Sequence, residues 1–189
     1  MRGRPHHWFR AALSALVAVC LCVSVESQSA TADQVKAAYL VNFAKFVEWP
    51  EGTFVSADAS LQFCTFGRSA VADELESGVA GKLISGHPIK VRRLDNADNA
   101  RNCQLVFVAA STGRQQQRVL EVFRGQPTLV VGDGEAFASS GGTIGFVTEK
   151  GRVLFEINVK SADESHLRIS SRLLALARVI GSPEERQHP

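Results

Sequence analysis

Leu105-Val106-Phe107-Val108-Ala109 is apolar at every position. A strand with one face in water would alternate, so this one is expected to be buried on both faces in the middle of a sheet. Residues 115–123 follow and read as a helix with Val119, Val122 and Phe123 inward. A second apolar run, Thr128-Leu129-Val130-Val131, comes next. Strand, helix and strand in succession form the crossover unit that joins parallel strands.

The same alternation extends toward the N-terminus. Leu61-Gln62-Phe63-Cys64-Thr65-Phe66 reads as a strand, followed by Gly67 and a helix over residues 69–77. Residues 87–93 alternate apolar and basic side chains and form another strand. Residues 95–102 are polar and are expected to hold one short helix. Toward the C-terminus, Gly132-Asp133-Gly134 turns out of its strand. Residues 142–148 and 152–158 flank Glu149-Lys150-Gly151 as a hairpin. Residues 162–179 read as one terminal helix, with Ile169, Leu173, Leu176 and Ile180 as its stripe and Arg168 and Arg172 off it. The expected fold is α/β, a three-layer α/β/α arrangement around a mostly parallel, flavodoxin-like sheet of order 2-1-3-4. A C-terminal antiparallel hairpin and a terminal helix complete it.

Before the first strand stands Asp33-Gln-Val-Lys-Ala-Ala-Tyr-Leu-Val-Asn-Phe-Ala-Lys-Phe-Val-Glu-Trp-Pro50. Val35, Ala38, Tyr39, Asn42, Phe43 and Phe46 share one helical face, and Ala37, Leu40, Val41, Ala44 and Val47 make much of the other apolar. Such a helix is either a core element or packs on a partner. Thr31 or Asp33 is expected to cap it, and Pro50 to stop it.

Residues 1–32 read as a signal peptide. Arg2, Arg4 and Arg10 precede an apolar run over residues 11–25, shorter than the roughly 20 residues of a membrane span. Ala30-Thr31-Ala32 fits a small-x-small cleavage pattern, with cuts after Ser27 or Ala30 as alternatives. An uncleaved anchor and a lipoprotein using Cys20 or Cys22 are the other readings. Removing 32 of 189 residues leaves 157, enough for one domain with a real core. The domain is expected over residues 33–181, with a flexible polar tail over 182–189. The segment takes three of 21 basic and one of 19 acidic residues, which leaves 18 of each. A mature chain of zero net charge carries no basic patch for nucleic acid.

Cys64 and Cys103 remain after processing. Two cysteines in an exported domain read as one disulfide, the alternative being two buried thiols. In the order 2-1-3-4 their strands are neighbours about 5 Å apart, within reach of a bridge. No redox-active Cys-x-x-Cys is present.

No catalytic motif stands out. Gly132-Asp133-Gly134 lacks the third glycine of a dinucleotide loop and reads as a turn. His87, His166 and His188 lie far apart and not at metal-ligand spacing. Glu156 sits between Phe155 and Ile157, opposite both by alternation. It reads as the solvated face of an edge hairpin or, alternatively, as a buried ion pair or partner contact.

These residues also carry a family resemblance. The block from Val35 to Pro50 resembles the N-terminal signature of the YfiR family. Gly141-Gly-Thr-Ile-Gly-Phe-Val, Phe155-Glu-Ile-Asn158 and Leu167-Arg-Ile-Ser-Ser-Arg-Leu-Leu174 resemble its C-terminal signature. The disulfide spacing fits as well. The resemblance implies a periplasmic α/β protein, often a homodimer, without enzymatic activity or cofactor. Such proteins repress an inner-membrane diguanylate cyclase through its periplasmic region. An outer-membrane lipoprotein sequesters them, and the output is cyclic-di-GMP and biofilm control. Some relatives carry a second cysteine pair near the equivalents of Ala138 and Gly145, which this chain lacks.

The partner surface is accordingly expected around Phe146, Glu156, Asn158 and Arg168, with Trp49 nearby. The alternative is a small-molecule-binding periplasmic domain serving a sensor or uptake system. Its ligand would sit at the strand ends near Gly67, Ala109, Ala110 and Gly132-Asp133-Gly134.

Overall fold

The computed structural model describes residues 30–56, 58–96, 102–109 and 113–181. The expected signal peptide up to residue 29, the expected tail over 182–189 and most of the short helix expected within 95–102 lie outside the described residues. Among the described residues, no helix is long and apolar enough to cross a membrane.

The compact unit begins at Thr31. Helix α1, Ala32–Lys45, starts in a capping box. The Thr31 hydroxyl accepts from the Gln34 amide at 3.2 Å, and the Gln34 side chain accepts from the Thr31 amide at 3.1 Å. Two of the amides that a helix start leaves unpaired are thereby satisfied. The helix ends at Phe46, before Pro50, because the chain turns into a two-residue strand, β1, Val47–Glu48. Leu40, Val41, Phe43 and Ala44 are buried, while Ala38 and Asn42 are exposed. Helix α1 is therefore a core element of this domain.

The remaining elements are β2, Leu61–Phe66; α2, Ala70–Gly78; β3, Leu83–Ile84; β4, His87–Leu94; β5, Leu105–Val108; α3, Gly113–Phe123; β6, Leu129–Asp133; β7, Ile144–Glu149; and β8, Arg152–Asn158. After these come α4, Val159–Glu164; β9, Arg168–Ile169; α5, Ser171–Leu174; and β10, Arg178–Ile180. The main sheet has eight strands in the order β10-β8-β7-β6-β5-β2-β4-β3. Its β4-β2-β5-β6 centre is parallel and reproduces the expected 2-1-3-4 order. Strands β7 and β8 form the antiparallel hairpin. The disulfide joins Cys64 on β2 to Cys103 just before β5, with Cα atoms 5.9 Å apart.

Two apolar clusters lie on the two sides of the sheet. One gathers Leu61, Phe63, Leu105, Phe107, Val131, Ile144, Phe146, Phe155 and Ile157 with α1 and α2. The other gathers Cys64, Val106, Val108 and Val130 with Val119, Leu120 and Phe123 of α3. The α3 reading is corrected by one position: Leu120 is buried, and Val122 is 36% exposed.

The expected terminal helix over 162–179 is overturned. Helix α4 stops at Ser165, and His166 takes a left-handed φ of 55°, which breaks helical continuity. Ile169 then pairs antiparallel with Val47, and Ser170 caps the single turn of α5. Finally β10 adds parallel to β8, with Arg178 opposite Glu156. The spacing of Ile169, Leu173, Leu176 and Ile180 was helical, but backbone pairing with β1 and β8 outweighs that preference.

Candidate functional site

Glu156 is the centre of the expected partner surface, and β10 changes its setting. Strand β8 is not an edge, since β10 covers its outer side. The Glu156 side chain is 12% exposed and accepts from Arg178 at 3.0 Å. A second nitrogen of Arg178 reaches Glu149 on β7 at 2.7 Å. The guanidinium is thus forked across two strands of the hairpin. The Glu149 bond, then the Glu156 bond, holds its pKa above the ordinary arginine value. The ion-pair reading of Glu156 is the one realised.

Phe146 and Asn158 do not present themselves to a partner in this fold. Phe146 is fully buried among Tyr39, Phe43, Phe107 and Phe155, its ring 5.7 Å from that of Phe43. Both faces of β7 are apolar there because α1 covers one of them. Asn158 is 9% exposed and works inward. Its amide donates to the Ala138 carbonyl at 2.8 Å, and its oxygen accepts from the Ser161 amide at 3.1 Å, capping α4. Arg168 is outward, its side chain 86% exposed and 3.8 Å from Glu48 across the β1–β9 ribbon. Trp49 is half-buried, and its indole donates to the Gln104 carbonyl at 3.2 Å. The five residues are therefore divided between core, ion pair and ribbon.

The structure adds apolar neighbours that the sequence reading missed. Beside Glu156 and Arg178, a notch is formed by Val147, Leu154 and Leu176. Leu154 is 36% exposed and Leu176 74%, whereas Val179 on β10, paired with Ile157, faces the opposite side of the sheet. Among the described residues, the cluster beneath α3 contains no residue of β7, β8 or β10, and no helix residue lines the notch beside Leu154 and Leu176. Leu176 had been assigned to a helix stripe, so its exposure could be found only once the terminal helix was replaced by β10.

At the strand ends named for the alternative site, a salt bridge ties Asp133 to α1. Lys36 of α1 reaches both oxygens of Asp133 at 2.7 and 2.9 Å. The two side chains are 9% and 28% exposed. Gly67 packs its backbone against Ala109, with a φ of 87° that favours glycine. Ala110 lies outside the described residues. Of the three histidines after residue 32, the two that are described take structural positions. His87 Nδ1 is 2.7 Å from the Ala59 carbonyl and its ring stacks on Phe54, while His166 is the exposed residue that ends α4.

A family model described as YfiR/HmsC-like matches residues 33–178. Among solved structures, a conserved domain protein from Vibrio cholerae O1 biovar El Tor is similar at 10% identity and a TM-score of 0.53, covering 79% of this chain and 60% of that one. The ABC domain in complex with L-Trp from Streptococcus pneumonia is similar at 12% identity and a TM-score of 0.52, covering 78% of this chain and 60% of that one. The chain thus spans about 60% of the length of each. At these identities the likeness concerns the fold alone.

Proposed function

This chain belongs to the YfiR/HmsC-like family, and from that premise we propose that it is a periplasmic regulatory binding protein that represses an inner-membrane diguanylate cyclase. Repression works by contact with the periplasmic region of the cyclase, without catalysis by this chain. To repress, the protein must bind the inactive conformation of the cyclase more tightly than the active one. The output is the level of cyclic-di-GMP and hence biofilm formation. Sequestration by an outer-membrane lipoprotein relieves the repression, and the acting form is a homodimer.

The observation that supports a binding role is the exposure of Leu154 and Leu176 beside the ion pairs of Arg178. Apolar side chains exposed beside an ordered ion pair are what a protein–protein contact desolvates. In this reading Leu154, Leu176 and Arg178 meet the partner, Glu156 fixes Arg178, and Arg168 contributes from the ribbon.

The test is a deletion in the native host with cyclic-di-GMP measured by mass spectrometry, complemented by wild type, Leu176→Glu and Glu156→Lys. The expected result is raised cyclic-di-GMP on deletion, restored by wild type and not by either variant, with both variants folded by circular dichroism. The mature protein should also retain a membrane protein with a periplasmic sensor region and a cyclase domain from solubilised membranes. Unchanged cyclic-di-GMP on deletion would sink the repressor reading. Full complementation by both variants would move the contact elsewhere.

A further inference from the structure

Between α3 and α4 lies an open cleft of about 630 Å³, a size typical of small-molecule sites. Its floor is apolar and buried, made by Leu120, Phe123 and Val130. Its walls are rich in hydroxyls: Ser139 and Ser140 from the loop after Phe137, Thr143 before β7, Ser161 on α4 and Ser165 at its C-cap. Ser161 and Ser165 are only 9% and 6% exposed. Neither hydroxyl makes a hydrogen bond among the described residues, although the Ser161 amide is capped by Asn158. Thr65 Oγ1 is the one sealed side-chain oxygen without a partner among the described residues, so both serine oxygens open onto the cleft, where a ligand can reach and bond them.

The charges point to the class of ligand. Lys160 and Glu164 lie 3.8 Å apart on α4 and offset one another. Arg124, at the C-terminal end of α3, has no ion-pair partner among the described residues and leaves the cleft with one net positive charge. Serine and threonine hydroxyls both donate and accept, so they match other hydroxyls in either direction. A guanidinium prefers a carboxylate, which it can hold through two parallel bonds.

We propose that this cleft binds a small hydroxyl-rich molecule with a single carboxylate, of the uronic-acid class. The hydroxyls of the ligand meet the serines, its carboxylate meets Arg124, and its C–H face lies on Phe123 and Val130. The site is at the N-terminal ends of the parallel strands, since Val130 is the second residue of β6 and Thr143 precedes β7. That is the opposite end from Gly132-Asp133-Gly134, where the sequence pattern alone places a ligand. Binding here needs no partner protein, so its test is separate from that of the repressor reading.

The experiment titrates the purified mature protein with D-glucuronate, D-glucose and acetate, followed by amide chemical shifts in two-dimensional NMR. Glucuronate is expected to saturate with a Kd on the order of 1 mM, with glucose and acetate each about tenfold weaker. Shifts should map to α3, α4 and residues 139–143. Arg124→Ala should weaken glucuronate about tenfold and leave glucose unchanged. The double variant Ser161→Ala/Ser165→Ala should weaken both sugars while the rest of the spectrum stays native. Absence of saturable shifts, acetate binding as tightly as glucuronate, or glucuronate binding insensitive to both variants would overturn the proposal.

Discussion

Phe137 lays its ring over both Gly132 and Gly142, in the space that a side chain at either position would need. Neither glycine is in the left-handed region, so space alone and not backbone conformation demands glycine there. The packing solves a topological problem. Strands β6 and β7 are parallel neighbours, yet no helix joins them. Residues 134–143 make the return as a wound loop, and Phe137 supplies the apolar cover that a crossover helix normally provides. Gly132→Ala or Gly142→Ala should therefore overpack the site and cost about 1–3 kcal/mol. Urea unfolding would measure this, and the penalty should shrink in a Phe137→Leu background.

Lys36 and Asp133 tie α1 to the end of β6. Replacing Lys36 with Met keeps the apolar stem but leaves Asp133 unpaired in a mostly buried setting. The expected loss is about 1–3 kcal/mol, below that of a fully buried pair because Asp133 retains some solvent. The double variant Lys36→Met/Asp133→Asn should recover part of the loss. Equal stability of Lys36→Met and wild type would show that the bridge contributes nothing net.

The Cys64–Cys103 bridge closes a sequence separation of 39 residues. Cys64→Ala/Cys103→Ala should lower stability by about 4 kcal/mol in the chain-entropy account. An Arg92 nitrogen lies 3.4 Å from the Cys103 sulfur and 3.8 Å from that of Cys64. The comparison to make is urea midpoint with and without reductant. A wild-type midpoint indifferent to complete reduction would contradict this.

Arg93 on β4 clamps α2 by bonds to Glu76 at 2.7 and 2.9 Å and to Asp73 at 2.5 Å. The hydrogen bond from Arg93 holds the Glu76 carboxyl below its ordinary pKa. A depressed carboxylate pKa means stability that is fully present above the unfolded value and lost as pH falls through the folded value. Protection of α2 amides in hydrogen exchange should accordingly drop on acidification below the ordinary glutamate range. In Arg93→Ala that acid step should disappear, with lower protection already at neutral pH.

The central sheet was legible because the relevant residues report their own environment. Leu105 to Val108 are apolar on both faces, and all four are buried. Glu156 was correctly set opposite Phe155 and Ile157, but alternation gives no sign of which strand comes to lie beside β8. The C-terminal segment failed for the same reason. Ile169, Leu173, Leu176 and Ile180 have helical spacing, and the pairing of Ile169 with Val47 is a contact 122 positions away in the chain. Local periodicity carries no information about such a partner. Phe146 was placed at a surface on likeness of sequence, whereas α1 lies over it. The serine-lined cleft was invisible because its walls come from three separate segments.

The main sheet ends in β3, two residues long, and β10, three residues long. β3 pairs with His87 and Pro88 of β4, and β10 with Glu156, Ile157 and Asn158 of β8, so the rest of each border is the outer edge of β4 or β8, where exposed charges such as Lys90 and Arg152 discourage runaway stacking into fibres. An eight-stranded sheet rich in valine and phenylalanine would otherwise be an aggregation hazard. The same bluntness constrains any companion molecule. It has to be recognised through side chains on the faces of the domain, and a lengthening mutation at either border should be read as a solubility risk before it is read as a change in recognition.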